Sequence, residues 1–138
     1  MNNQDTLNTI TSKFKTDIAD AHSIPVQYDN DGTPRTDDVK YIALSVLFGN
    51  ARLVTMTVGS RRWRTVGVME AIIYVPATYG LKDAMIVADW IVDAFRGVRS
   101  GGVNYKTPYI SNIGQPDQEG DMFYQVNVST DFWVDDLE

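Results

Sequence analysis

The chain has 138 residues, of which 43% are hydrophobic and 22% charged, with a formal net charge of −6 and no cysteine. That length and balance predict one ordinary globular domain, residues 1–138, with a single core. Without cysteine there are no disulfides, thiolate metal sites or cysteine nucleophiles, and the acidic balance argues against general charge-driven binding of nucleic acid.

The N-terminus is polar and lacks the apolar segment of a signal peptide. No apolar run approaches the roughly 20 residues that cross a bilayer. We therefore expect no membrane partner and a protein made in a cytoplasm.

The first predicted element is a helix from about Asp5 to Ala21. Its apolar residues recur at three- and four-residue spacing and form one stripe: Leu7, Ile10, Phe14, Ile18 and Ala21. Asp5 or Asn3 is expected to cap its start. Pro25 is expected to end it, because proline disfavours helical geometry in the residue before it.

Strands follow this helix. The stretch "VQYDN" predicts a short strand, and "DNDGTPRTDD" consists almost wholly of residues that favour turns. Val39–Phe48 predicts a strand with apolar residues on both faces. The segment between Gly49 and Gly59 is expected to be the far end of a hairpin or a projecting arm. Strand-forming residues resume at Arg62–Val75, and Pro76 ends that strand.

A second helix is predicted within "LKDAMIVADWIVDAFRG", with Gly97 as a left-handed cap. Pro108 interrupts the strand-like "VNYKTPYISNI". The last strand alternates, with Trp133 on its polar face, and the closing "DDLE" is expected to be a frayed acidic tail. The order α-β-β-β-α-β-β predicts an α+β fold: a mixed, mainly antiparallel sheet with two helices packed on one face.

The chain has few of the residues that catalytic sites commonly use. His22 is its only histidine, so sites that pair histidine with a serine or cysteine nucleophile, and histidine-based metal sites, are unsupported. The acidic stretch "DNDGTPRTDD" begins like a calcium loop but lacks the ligand spacing and terminal glutamate of one. We therefore predict no catalytic, cofactor or metal residues, and no enzyme.

The most unusual stretch is "GSRRWRTVGVMEAIIYVP", which places three arginines and a tryptophan before a strand. In an extended chain, Arg62 and Arg64 share one face while Arg61 and Trp63 share the other. Three interpretations stay open: a charged strand end that keeps an edge soluble, a nucleic-acid site, and a subunit contact answered by acidic patches of a neighbour. The candidate subunit or tube interface comprises Arg52, Arg61, Arg62, Trp63, Arg64 and Trp133.

This order of elements resembles the tail terminator (tail completion) proteins of long-tailed bacteriophages, including the lambda type. The N-terminal helix is followed by "IPVQYDN", the strand "YIALSVLFG", a glycine-marked segment and the basic strand "RRWRTVGVMEAIIYVPATYG". The helix "LKDAMIVADWIVDAFRG" and "VNYKTPYISNIGQPDQEGDMFYQVNVSTDFWV" complete the pattern, which covers nearly the whole chain. The most telling part is an arginine-rich strand that passes through a short P-x-x-x-G turn into the second helix.

The resemblance implies a structural protein without catalysis, whose subunits form a ring, typically a hexamer. Such a ring sits on the last ring of the tail tube, stops its polymerisation and presents a surface to the head connector. The implied partners are further copies of the chain, the tail tube protein and the head-tail connector protein; an arginine-lined lumen could also touch genomic DNA in passing. The implied location is the tail or neck of the virion, after assembly in the host cytoplasm.

Two alternative functions stay open at this point. A head-tail connector or neck protein also forms rings in this size range, and binding to purified tail tubes or to portal-connector complexes would separate it from a terminator. A small nucleic-acid-binding module is the alternative from a different class. A salt-dependent shift with duplex DNA would support that alternative.

Overall fold

The structure is a computed structural model that describes residues 2–28, 40–57, 60–76, 80–114 and 123–137, with the backbone alone for 54–57, 60–61 and 137. Its helical elements are α1 (Asn3–Phe14), which continues as a π-helical segment (Lys15–Asp20), and α2 (Leu81–Phe95). Its strands are β1 (Val26–Tyr28), β2 (Tyr41–Thr57), β3 (Ser60–Pro76), β4 (Arg99–Ser100), β5 (Val103–Tyr105), β6 (Tyr109–Gly114) and β7 (Phe123–Leu137).

The N-cap of helix α1 precedes both residues that were predicted to cap it. The side chain of Asn2 accepts a hydrogen bond from the backbone N–H of Asp5 at 2.7 Å, so Asn2 is the N-cap. The predicted caps, Asn3 and Asp5, were therefore wrong: Asn3 is the first helical residue, and Asp5 lies in the first turn, where its carboxylate favours the helix dipole. The predicted apolar stripe is confirmed for Ile10, Phe14 and Ile18, which are fully buried, and for the partly buried Leu7, but Ala21 is exposed and does not belong to it.

The sheet is mixed and mainly antiparallel, as predicted. Its strand order is β1-β2-β3-β7-β5-β4, and β6 also pairs with β7. Only β1 and β2 run parallel among the described pairs; the other pairs are antiparallel. The long strands β2, β3 and β7 therefore form the middle of the sheet, and their register decides which side chains meet.

Strand β2 continues well beyond the Phe48 end that the sequence predicted. Pairing with β3 persists through the glycine-bracketed segment, with register shifts between Phe48 and Ala51 and between Leu53 and Thr55. Each shift adds one residue to β2, and such bulges bend a strand without ending its pairing. Of the two expectations for this segment, the far end of a hairpin is the correct one for its described part.

Both helices pack on one face of the sheet, where strand side chains alternate into a single core. The fully buried members on the central strands are Ile42, Met69, Ala71, Ile73, Val75, Val126 and Val128. The opposite face is called the open face here, because no described helix covers it. It carries Leu47 from β2, Arg64, Val66 and Val68 from β3, and Asp131, Trp133 and Asp135 from β7.

Glycine and proline residues lie where helices and strands end in the second half of the chain. Gly97 follows α2 with φ of 60°, which confirms the predicted left-handed cap. Pro108 lies between β5 and β6, as its position in the strand-like run predicted. Strand β4 was not predicted: it has two residues, too few to show a periodicity, and turns into β5 through Gly101 and Gly102, both at positive φ.

Candidate functional site

The register of the three long strands gathers charge at one end of the open face. Arg52 on β2 lies opposite Arg64 on β3, and Arg64 lies opposite Asp135 on β7. Directly opposed residues of antiparallel strands point to the same face. These three residues therefore form a row across the open face.

Arg64 and Asp135 form the best-defined ion pair of this row. The Arg64 Nε donates to Oδ1 of Asp135 at 2.8 Å, and Nη2 donates to Oδ2 at 3.1 Å. The Arg64 guanidinium also lies 5.5 Å from the centre of the Trp133 ring, in cation–π contact. The carboxylate and the indole together hold the guanidinium in one orientation.

Further cations act on the same carboxylate. Hydrogen bonding from Arg64 lowers the pKa of Asp135, and the positive charges of Arg64, Arg62 and Arg99 lower it further. Burial opposes this lowering but does not outweigh it. The Arg62 Nε lies 4.0 Å from Asp135 Oδ2, at the edge of ion-pair range. Asp135 is therefore an anion at neutral pH, shared among several cations.

The row retains an excess of positive charge. Arg52 lies directly across from Arg64, an unfavourable pairing of like charges, and it makes no ion pair with any residue in the described ranges. The basic side chains at this end are Arg52, Arg62, Arg64, Arg99 and Lys106, and the acidic side chains near them are Asp131 and Asp135; Glu70 lies on the same face, farther along β3. This local excess of cations stands out on a chain whose net charge is −6.

A groove of about 560 Å³ runs beside these charges and is named here the basic groove. Its apolar lining includes Leu47, Val66 and Val68, and its cations are Arg52, Arg64 and Lys106. Leu47 is 61% exposed and Val66 is 40% exposed, which is unusual for large aliphatic side chains in the middle of a sheet. The groove can therefore contact a ligand or partner that is both apolar and acidic.

The chain passes very close to itself beneath this groove. A Cβ on Gly67 would lie 2.4 Å from the Phe132 ring and 2.5 Å from the carbonyl oxygen of Leu47. Phe132 in turn packs edge-to-face on Phe48, with ring centres 5.9 Å apart. Glycine at position 67 is thus what allows β2 and the Phe132 ring to approach β3 together.

The structure brings four of the six predicted interface residues together. Arg52, Arg62 and Arg64 share the open face, which agrees with the predicted common face of Arg62 and Arg64, and Trp133 joins them under the Arg64 guanidinium. Whether this cluster contacts another subunit or the tube remains a prediction.

Trp63 and Arg61 are separated from that group. Trp63 pairs with Leu53 on the face opposite the open face, and its Nε1 is buried with no hydrogen-bond partner in the described part of the chain. The side chain of Arg61 lies outside the described residues, so its predicted place beside Trp63 is known from the backbone register alone. The basic stretch therefore does not act as one block.

Sequence reasoning missed Asp135 and Lys106. The closing "DDLE" was expected to be a frayed tail, but β7 runs to Leu137 and Asp135 is paired with Arg64, so this prediction was wrong for its described residues. The alternation of the last strand could have placed Asp135 on the face of Trp133. Lys106 had no such signal, because it lies in the connection after β5.

Other candidate chemistry is sparse. His22 is exposed and stacks on Trp90, with ring centres 3.8 Å apart and planes 2° from parallel. No group of histidine, aspartate and glutamate side chains in the described ranges is arranged to hold a metal ion. None of the described helices combines the length and apolar character that a membrane crossing needs.

The fold and the site define a small α+β domain with one helix-covered face and one charged, grooved face. The chain belongs to the phage tail terminator protein family, whose model matches residues 8–132. This is a family of structural proteins, so the chain has a structural role in a phage tail.

Comparison with solved structures supports the fold alone. One solved structure shares 24% sequence identity with this chain and superposes on it with a TM-score of 0.61. The similarity covers 93% of this chain and 94% of the other. A search of curated proteins found no significant match.

Proposed function

We propose that this chain forms a ring, with six subunits, that caps the tail tube, ends its polymerisation and provides the surface to which the head connector joins. The observation that carries this proposal is membership of the tail terminator family over residues 8–132. The two unlike faces of the subunit support it.

A terminator has a demanding physical task. It must bind the growing end of the tube and yet present, on its other side, no surface that another ring of tube protein can bind. A subunit with one helix-covered face and one basic, grooved face offers different chemistry on its two sides. Binding on one side therefore does not reproduce the tube end on the other.

A ring also strengthens attachment to the tube. Contacts that use two different patches of one subunit are head-to-tail, and they close into a ring when the rotation between neighbours allows it. Once the ring has closed, several copies of a weak contact with the tube act together, and their combined binding far exceeds that of one copy. Individual subunits are then expected to bind a tube end poorly, and rings to bind it well.

Polymerisation of purified tail tube protein tests this proposal. The chain is added at a ratio of a few subunits per tube end, and tube lengths are measured by negative-stain electron microscopy. We expect shorter tubes with a ring at one end, and light scattering should give the ring a mass of six subunits. An unrelated acidic protein of similar size serves as the control. Tubes as long as those in the control would overturn the proposal.

A further inference from the structure

We propose that the basic groove receives the outer side of helix α2 from a second copy of this chain. Repeated head to tail, this contact would build the ring of the proposed function, and the inference rests on that function for its biological role. Two surfaces of the same chain carry the argument: the groove, and the exposed stripe of α2.

The groove combines an exposed apolar lining with three cations, Arg52, Arg64 and Lys106, against one lining carboxylate, Asp131; of the three, Arg64 is already paired with Asp135. Leu47 is the most exposed large hydrophobic side chain of the described sheet, and Val66 beside it is also exposed. Arg52 and Lys106 are exposed, and neither makes an ion pair within the described ranges. Burying the aliphatic side chains gains free energy only if the partner also supplies anions for the cations beside them.

The outer side of α2 has this combination. Ile86 is 41% exposed and is the one large hydrophobic side chain that the described helices leave in solvent. Asp89 and Asp93 follow at spacings of three and four residues, are exposed, and lie on the same side of the helix. Lys82 and Arg96 flank this stripe at its two ends, so its centre is apolar and acidic.

A helix is a suitable occupant for such a groove. An amphipathic helix commonly binds by laying one face into a groove, with contacts at i, i+3 and i+7. Ile86, Asp89 and Asp93 have this spacing, with Ile86 as the apolar anchor and the two aspartates as charged contacts. In the proposed contact, Ile86 meets Leu47 and Val66, while the two carboxylates meet Arg52 and Lys106. The opposite side of α2 is already used, because Ala84, Val87, Ala88, Ile91 and Phe95 are buried in the core.

A second copy suits the groove better than nucleic acid does. The Trp133 ring is occupied by the Arg64 guanidinium, which leaves it less available for stacking on a base. The apolar lining offers nothing to a phosphate backbone, and the chain as a whole carries a charge of −6. A partner that is acidic and apolar, and present wherever the chain is made, is the chain itself.

The placement of the two surfaces gives the contact its direction. The groove lies on the open face, whereas α2 lies on the helix-covered face. A contact between them uses two different patches, so each subunit can bind one neighbour on each side. Such a contact forms rings or open chains, but not a closed two-fold dimer.

Charge reversal and its repair test the contact. Arg52→Glu and Asp89→Lys are made singly and together in the full chain, with Ile86→Ser as an uncharged variant and Lys15→Glu as a matched control on the exposed surface of the first helical element. Sedimentation velocity over a concentration series reports assembly, and circular dichroism reports folding. Each single variant is expected to raise the concentration needed for assembly about tenfold or more. The double variant should recover most of that loss, and Lys15→Glu should behave as wild type.

Several results would overturn the contact: folded single variants that assemble as wild type, a double variant no better than either single one, or a wild-type chain that stays monomeric at every concentration. Loss of duplex-DNA binding in Arg52→Glu with unchanged self-association would overturn it in favour of nucleic acid. The tube-length assay keeps the two proposals apart. If Arg52→Glu still forms rings that block tubes, this contact is wrong and the proposed function stands. If wild type assembles through this contact but does not block tubes, the contact stands and the proposed function is wrong.

Discussion

Arg64 on β3 and Asp135 on β7 are joined by two parallel hydrogen bonds, of 2.8 and 3.1 Å, although 71 residues separate them in sequence. A guanidinium and a carboxylate match each other in this forked geometry, which fixes both side chains. The pair therefore fastens the end of the last strand to the centre of the sheet and orients Arg64 over Trp133 beside the basic groove.

Loss of this carboxylate should lower stability in a pH-dependent manner. The pKa of Asp135 is lower in the folded chain than its usual value. Its contribution is therefore present above the unfolded-state pKa of about 3.9 and is lost as the pH falls through the lower folded-state pKa. We expect Asp135→Asn to reduce the free energy of unfolding at pH 7, and the difference from wild type to shrink towards pH 2.

Urea denaturation across that pH range measures this difference. Asp20→Asn, which removes an exposed carboxylate from the first helical element and lies outside the proposed contact, is the control and should change stability little. A deficit of Asp135→Asn that stays constant from pH 7 to pH 2 would show that the ion pair is not its source.

Gly67 should not tolerate even one added methyl group. Alanine there would bring its Cβ to within 2.4 Å of the Phe132 ring and 2.5 Å of the Leu47 carbonyl oxygen, so the backbone would have to move. We expect Gly67→Ala to lower the free energy of unfolding by about 1–3 kcal/mol. Gly114→Ala is the matched control, because its nearest atom, the Gln125 Cβ, is at 3.4 Å. Equal stability of the two variants would refute the close approach at Gly67.

The hydroxyl of Tyr105 should contribute nothing to stability. Tyr105 is only 2% exposed, its hydroxyl has no hydrogen-bond partner among the described residues, and burial raises its pKa. Its ring packs edge-to-face on Phe95 at 4.9 Å. We expect Tyr105→Phe to be as stable as wild type or more so, and Tyr105→Ala to lose about 3–5 kcal/mol. Thermal melts of both variants decide this; a loss above about 1 kcal/mol in Tyr105→Phe would show that the hydroxyl is bonded.

Local patterns in the sequence were sufficient for much of this fold. The 3.6-residue spacing found α1 and α2, and Gly97 marked the end of α2, because these signals depend on neighbours within one or two turns. The bulges of β2 were not predictable, since a strand that bends past glycines looks in sequence like a strand that stops. The cap at Asn2 was missed because several consecutive polar residues at the N-terminus can serve equally well.

The sequence predicted only part of the candidate site, for a related reason. Alternation along one strand placed Arg62 and Arg64 on a common face. It could not show that Asp135 lies opposite Arg64, because that pairing depends on the register between β3 and β7. A register shift of one residue would have put Asp135 on the other face. The groove depends on three strands at once, so no single segment predicts it.

Electron microscopy of particles from a phage that lacks this gene tests the central claim most directly, namely that this chain ends tail growth and joins tails to heads. We predict tails of uncontrolled length that are not attached to heads, and recovery of normal virions when the wild-type chain is supplied from a plasmid. Tails of normal length joined to heads in the absence of the chain would contradict the claim.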